Sequence, residues 1–90
     1  MTPDVVTVKV LSDFQLQAIF ADGAVRRFDM KPYLQYPAFA ALRDEALFQR
    51  AAVRHGTVAW SDDIDLSPDT LYLKGDAAEP AKEPASTAAP

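Results

Sequence analysis

Two runs with the alternation of β-strands, residues 14–20 and 24–30, are joined by the sequence Ala-Asp-Gly at residues 21–23. Asp-Gly between alternating apolar residues is typical of a β-hairpin turn. A hairpin places its two strands side by side, so this stretch predicts the centre of a small antiparallel sheet. It constrains the fold more than any other part of the chain.

The register of this hairpin follows from its apolar face. A two-residue loop would place Asp29 opposite Leu16, which sets an acid against an apolar face. A three-residue loop, with Gly23 in the left-handed region as a bulge, avoids this conflict. Because a slip of one residue moves every side chain to the other face, the hydrophobic pattern favours the longer loop. Its apolar pairs are Leu16 with Phe28, Phe20 with Ala24 and Phe14 with Met30.

The other face of the hairpin has a different composition. It is predicted to be mostly exposed to solvent, with an apolar Ile19–Val25 pair only near the turn. Its remaining residues are polar: Gln15, Gln17, Arg27 and Asp29.

The segment before the hairpin is rich in β-branched residues and predicts a strand over residues 5–11, with Val6, Val8 and Val10 on one side. A short turn at residues 12–13 leads into the hairpin. The first three strands are therefore expected to form an antiparallel meander.

Helical signals follow the meander. Residues 31–37 contain two prolines and predict a single helical turn. Asp44 is a credible N-cap for a short amphipathic helix over residues 44–51, whose apolar face includes Phe48. Ser67 followed by proline predicts a second short helix that ends near Leu73.

A second hairpin is predicted over residues 53–60, with His55 and Gly56 at its tip and Val53 opposite Val58. The fold class is therefore α+β. The expected architecture is a small antiparallel sheet, formed by a three-strand meander and a second hairpin, covered on one face by one or two short helices. A single domain should span residues 1–74. The Ala/Pro-rich composition of residues 75–90 predicts a disordered tail.

Composition excludes several function classes. The chain has 90 residues, a net charge of −4 and a pI near 4.7, which argues against general nucleic-acid binding and its need for positive charge. It has no cysteine, and so no disulfide and no thiolate ligand for zinc. No apolar run approaches the roughly 20 residues of a membrane helix, so we expect a cytoplasmic protein without membrane partners.

The acidic loop over residues 61–66 is the first place to look for a metal site, since Asp62, Asp63, Asp65 and Asp69 lie within eight residues. An EF-hand loop counted from Asp63 would need glycine at its sixth position and glutamate at its twelfth. The chain has Pro68 and Lys74 there, so the motif fails. Solvated turn residues are the preferred interpretation, and a looser cation site is the alternative.

Catalytic signals are weak. His55 is the only histidine and has no second functional residue beside it in the sequence. None of the serines has the glycines of a nucleophile elbow. The sequence therefore predicts a protein that is not an enzyme and has no cofactor.

The remaining candidates form an interaction surface. Arg26, Arg27 and Lys31 are the only basic cluster, although consecutive strand residues point to opposite faces. Tyr33 and Tyr36 have two interpretations, an aromatic contact surface and, more commonly for such residues, packing over a small core. Trp60, Asp62 and Asp63 complete the predicted surface.

Several motifs occur in the order found in a small bacterial family of uncharacterised proteins, the domain-of-unknown-function family 2442, which residues 3–73 resemble. They are Phe-Ala-Asp-Gly at 20–23, Phe-Asp at 28–29, Pro-Tyr-Leu at 32–34, Leu-x-Asp-x-x-x-Phe at 42–48, Thr-Val-x-Trp at 57–60, and Asp-Leu-Ser-Pro-Asp-x-Leu-Tyr at 65–72. Family members often have Asn-Gly after the tryptophan, whereas Asp62 and Asp63 occur here.

The resemblance implies a compact α+β domain with an antiparallel sheet. Some relatives carry a helix-turn-helix domain behind this one, and here the Ala/Pro tail takes its place. Others occur beside a second small protein, in an arrangement like a toxin–antitoxin pair. The leading hypothesis is a protein-interaction module that binds another small protein, and a homodimer is the alternative partner. Two other functions remain open: a transcription-associated accessory protein using the basic cluster, and a ligand- or metal-binding domain using the acidic loop.

Overall fold

The computed structural model describes residues 2–78, and residues 1 and 79–90 lie outside this range. The described chain forms two antiparallel sheets and several short helical segments. One sheet has four strands, in the order β1 (Val5–Leu11), β2 (Gln15–Phe20), β3 (Val25–Asp29) and β7 (Asp76–Ala77). The other has three, in the order β4 (Ala52–Arg54), β5 (Thr57–Ala59) and β6 (Asp65–Leu66). The predicted α+β class is confirmed.

The first sheet contains the predicted meander, with β1 at Val5–Leu11, β2 at Gln15–Phe20 and β3 at Val25–Asp29. The predicted register of the central hairpin is confirmed, since Leu16 lies opposite Phe28. The N–H of Phe20 donates to the carbonyl of Ala24 at 2.9 Å, and Gly23 has a φ of +91°. These features define the three-residue loop.

A bulge in β1 changes which valines face the core. Val5 lies opposite Phe20 and Thr7 lies opposite Ile19, so Val6 is the extra residue. Val5 is 2% exposed, whereas Val6 is 54% exposed. The prediction that Val6 shares a side with Val8 and Val10 is therefore wrong, because the bulge turns it outward and Val5 takes its place.

The second face of this sheet is less exposed than predicted. Gln17 is 5% exposed and Val25 is 8% exposed, although Arg27 is exposed. Gln17 lies between Lys9 and Arg27 on the neighbouring strands, whose long side chains can cover it. The alternation predicted which residues share this face, but it could not predict their coverage.

The helical segments after the meander are shorter and tighter than predicted. Two 3-10 helices span Lys31–Tyr33 and Pro37–Arg43, and only the first was expected. Asp44 caps α1 as predicted, by accepting a hydrogen bond from the N–H of Ala46. However, α1 spans only Glu45–Phe48, so the predicted helix over residues 44–51 is corrected to a single turn. Strand β4 begins three residues after Gln49, which leaves no room for a longer helix.

The second sheet contains the predicted hairpin, with β4 at Ala52–Arg54 and β5 at Thr57–Ala59. Val53 lies opposite Val58, and His55 and Gly56 both have positive φ. A third strand, β6 at Asp65–Leu66, pairs with β5 and was not predicted. The tip of this hairpin holds the beginning of β1 through a 2.9 Å hydrogen bond from the N–H of Val5 to the carbonyl of Gly56.

The chain after β6 forms the predicted second helix, α2, at Pro68–Lys74. The next strand, β7 at Asp76–Ala77, pairs with β3. The predicted tail boundary at residue 75 is therefore too early by at least these two residues. Strand pairing at an edge uses backbone groups, so side-chain composition does not reveal it. Residues 79–90 of the predicted tail lie outside the described residues.

The core lies between the two sheets and the helical segments. It is built from side chains of the first sheet together with residues from the segment around the second 3-10 helix, α1, the second sheet and α2. Its largest fully buried members are Phe20, Phe48, Leu16, Met30, Leu42, Leu71, Val5 and Val58.

Candidate interaction surface

An aromatic ladder connects the core to the molecular surface. The ring of Phe28, which is 2% exposed, lies 5.1 Å from the ring of Tyr33, measured between centroids. Tyr33 in turn meets Tyr36 edge to face at 6.1 Å. Tyr36 is 50% exposed. We call Tyr33 and Tyr36 the tyrosine surface.

The two 3-10 helices hold the tyrosine surface in place. The N–H of Tyr36 donates to the carbonyl of Tyr33 at 3.1 Å, and the carbonyl of Tyr36 accepts from the N–H of Phe39 at 2.9 Å. Leu34 and Leu42 on either side are buried and anchor both helices to the core. Prolines near the start of each helix restrict the backbone further. Hydrogen bonds, buried neighbours and prolines therefore fix the backbone on both sides of Tyr36.

Lys31 stands at the beginning of this segment and is paired. Its ammonium nitrogen lies 2.9 Å from a carboxylate oxygen of Asp13 and 3.1 Å from one of Asp29. The hydrogen bond that the ammonium donates to Asp13 is the main cause that raises the pKa of Lys31, burial opposes it to a smaller extent, and the hydrogen bond donated to Asp29 raises it further. Two carboxylates therefore balance this cation, and it contributes little net positive charge to a basic surface.

Arg26 is held against α2. Its guanidinium carbon lies 4.6 Å from the ring centroid of Tyr72, and its Nε donates to the carbonyl of Tyr72 at 3.1 Å. The hydroxyl of Tyr72 donates to Asp22 at 2.8 Å. Arg26, Tyr72 and Asp22 therefore join the turn of the central hairpin to α2.

This arrangement shifts two pKa values in opposite directions. Hydrogen bonds from the N–H of Ala24 and from the hydroxyl of Tyr72 lower the pKa of Asp22. The hydrogen bond to Asp22 raises the pKa of Tyr72, because it favours the protonated phenol.

The predicted basic cluster does not form one surface. Arg26 shares the apolar face of the sheet, opposite Ala18, and is partly buried. Arg27 is exposed on the other face, as the strand alternation predicts. Lys31 is bound to carboxylates and Arg26 to the ring and carbonyl of Tyr72. Within residues 2–78, neither Arg26 nor Arg27 forms an ion pair, and Arg27 is the exposed one.

Trp60 belongs to the core. It is 5% exposed, its ring stacks on Phe48 at 5.9 Å, and its indole N–H donates to the carbonyl of Phe48 at 3.0 Å. The placement of Trp60 on the interaction surface is therefore corrected. Trp60 follows β5 directly, at a bend, and its indole packs against the last residue of α1.

The acidic loop lies beside an open cleft of about 240 Å³ on the second sheet. Asp62 forms a 2.8 Å ion pair with Arg54, and its side chain is 89% exposed. Asp63 is also exposed. Within residues 2–78, no group of three or more histidine, cysteine, aspartate or glutamate side chains is arranged to hold a metal ion.

Two residues of the Arg26 contact were absent from the predicted surface, namely Asp22 and Tyr72. The sequence did contain one signal, since Arg26 is the single charge on an otherwise apolar strand face, opposite Ala18. A buried-face arginine needs a partner. The sequence could not show that α2 supplies it, because Tyr72 is 46 residues away.

The described residues form a small α+β fold of two antiparallel sheets. The chain belongs to the family described as protein of unknown function (DUF2442), whose model matches residues 5–77. This match confirms the resemblance found from the motifs. No curated protein and no solved structure matches the chain. Among the helices of residues 2–78, none is long and apolar enough to cross a membrane.

Proposed function

We propose that this chain is a cytoplasmic protein-interaction module without enzymatic activity. Its partner is a second small protein encoded beside it, and the chain is the antitoxin-like member of the pair. The tyrosine surface is the contact site. The half-exposed ring of Tyr36, at the outer end of an aromatic ladder rooted in the core, carries this proposal.

Tyrosine suits this role for physical reasons. A tyrosine ring offers a large contact area and a polar hydroxyl, and it loses little side-chain entropy because only two torsions are fixed. The fixed backbone at Tyr36 lowers the cost of binding further. Exposed aromatics of this kind dominate the binding energy of many interfaces.

The test is affinity capture with the tagged full-length chain from lysate of its own source cells at moderate salt, followed by mass spectrometry. We expect one dominant small protein, encoded next to this chain. The Tyr36→Ala variant should lose at least about tenfold in affinity for that protein, measured by calorimetry with both components purified.

The matched control is Leu73→Ala, which removes another exposed apolar side chain on a different element, α2. This variant should bind as the wild type does. Equal binding by both variants would exclude the tyrosine surface as the contact site. Recovery of only the chain itself would argue for self-association and against a separate partner.

The antitoxin-like role has its own readout. Expression of the captured partner alone should arrest growth, and co-expression of the wild-type chain should restore it. Tyr36→Ala should fail to restore growth at equal protein levels. A partner that leaves growth unchanged would refute this role while leaving the interaction itself in place.

A further inference from the structure

The outer edge of β3 is a backbone hydrogen-bonding surface that the chain fills only in part. The bonds between Phe20 and Ala24 and between Met30 and Phe14 show that even-numbered residues of β3 direct their backbone groups toward β2. Alternation then directs the backbone groups of Val25, Arg27 and Asp29 toward the outer edge.

Strand β7 covers this edge with two residues. Ala77 lies opposite Arg26 and Asp76 lies opposite Arg27, while the N–H of Ala78 donates to the carbonyl of Val25 at 3.2 Å. The same register would put Lys74 opposite Asp29, but Lys74 belongs to α2. Within the described residues, Asp29 therefore has no strand partner on this side. Both residues of β7 are exposed.

The residues of β7 indicate which side chains are favourable in a strand that pairs with the outer edge of β3. An acid lies across the strands from the exposed Arg27, and opposite charges at such positions are favourable. A small residue lies opposite Arg26, whose side chain is occupied by Tyr72.

We propose that the outer edge of β3 is a strand-addition site, and that β7 is its replaceable internal occupant. The external occupant is an extended segment of a partner protein. This segment runs antiparallel to β3 and places an aspartate or glutamate opposite Arg27 and a small residue opposite Arg26. A segment longer than β7 also pairs with Asp29, so it gains backbone hydrogen bonds that β7 cannot make.

This inference rests on the proposed function, because it describes the kind of segment that the partner contributes. The proposed function and the strand-addition site are tested by separate experiments. The tyrosine surface is tested with the native partner, whereas the edge of β3 is tested with a synthetic peptide and no native partner.

The probe is a fluorescein-labelled peptide, Thr-Val-Thr-Asp-Ala-Val-Thr, with blocked ends. Its binding to the full-length chain is measured by fluorescence anisotropy. Asp76→Lys weakens β7 by placing a cation opposite Arg27, and Ala78→Pro removes the N–H that bonds to Val25. Asp63→Lys makes the same change of charge in an exposed loop outside the edge.

We expect the peptide to bind Asp76→Lys and Ala78→Pro at least about tenfold more tightly than the wild type or Asp63→Lys. A control peptide with lysine in place of its aspartate should bind these variants more weakly. The preference between the two peptides should reverse in Arg27→Glu. Equal affinities for wild type and the β7 variants, or no preference between the peptides, would overturn the proposal.

Amide hydrogen exchange locates the bound peptide. In Asp76→Lys, saturation with peptide should slow exchange of the outward N–H groups of Arg27 and Asp29. The N–H of Phe28 faces β2 and should be unchanged. Binding that leaves the Arg27 and Asp29 amides unprotected would place the peptide elsewhere and refute strand addition.

Discussion

Truncation of Phe48 should be among the most damaging substitutions in this protein. Phe48 is 1% exposed, and its ring contacts those of Phe14 and Trp60 at centroid distances of 5.1 and 5.9 Å. Its position at the end of α1 joins the first hairpin to the second sheet. Phe48→Ala therefore leaves a cavity where three elements meet.

The magnitude can be worked from these contacts. Loss of a buried aromatic side chain costs about 2–3 kcal/mol of transfer free energy. Each aromatic pair adds about 0.5–1.5 kcal/mol. The hydrogen bond from the Trp60 indole to the backbone carbonyl of Phe48 is retained, since alanine has the same carbonyl. Allowing for relaxation of the cavity, the expected loss is about 3–5 kcal/mol.

Urea unfolding followed by circular dichroism tests this value. A domain of this size has a total stability of roughly 4–12 kcal/mol, so Phe48→Ala removes between about a quarter and all of it, and the variant is unfolded at 25 °C if the wild type lies at the lower end of this range. Phe48→Leu should cost less, about 1–2 kcal/mol, and gives a measurable transition if the alanine variant has none.

Leu73→Ala is the control for Phe48→Ala. Leu73 is 72% exposed, so its truncation should change the free energy of unfolding by less than about 0.5 kcal/mol. A loss below about 1 kcal/mol for Phe48→Ala would refute the placement of this ring at the centre of the core.

Two further predictions concern the turns. Gly23→Ala should destabilise the fold by about 1–2 kcal/mol, because Gly23 has a φ of +91° but open space around it. Gly56→Ala should cost more in the same urea assay, since its new methyl group would also meet the Asp4 side chain 2.6 Å away; equal losses would contradict this reasoning. Tyr72→Phe should raise the pKa of Asp22 from its lowered value toward 3.8, as followed by NMR titration, although the bond from the backbone remains. Because the pKa of Asp22 is lowered in the folded state, this contact stabilises the fold above pH about 4 and is lost as the pH falls through the folded-state value. The stability difference between wild type and Tyr72→Phe should therefore shrink in acid, and a constant difference would argue against the hydrogen bond.

Local patterns predicted the central hairpin well. The clash of Asp29 with an apolar face selected the three-residue loop, because side chains alternate strictly along a strand. The cap at Ser67 and the turn at His55 and Gly56 were equally readable, since capping and positive φ depend on neighbouring residues alone.

The same local patterns gave wrong predictions where contacts with a distant element determine the structure. The bulge at Val6 moved one valine to the surface, and Trp60 moved from the predicted surface into the core. Strand β7 formed from a segment whose composition predicts no structure. In each case, the deciding contact joins residues that the sequence does not bring together.

The candidate interaction surface was likewise predicted only in part from the sequence. From the sequence, the prolines around Tyr33 and Tyr36 exclude a strand and favour a helical turn on the core, with an aromatic contact surface and packing over the core as the two interpretations. In the structure Tyr33 is half-buried and Tyr36 is 50% exposed. The basic cluster of Arg26, Arg27 and Lys31 was also visible in the sequence. Only the tertiary structure separated its members.

The sequence by itself determined the elements of this protein, namely the strand alternation, the turn glycines and the helix caps, since these depend on near neighbours. The tertiary structure decided which of the charged and aromatic side chains remain exposed to solvent. Tyr72 engages Arg26, and Asp13 and Asp29 engage Lys31, so Arg27 stays exposed at the edge where β7 lies. Whether a side chain stays exposed depends on contacts between distant parts of the chain, and only folding brings those parts together.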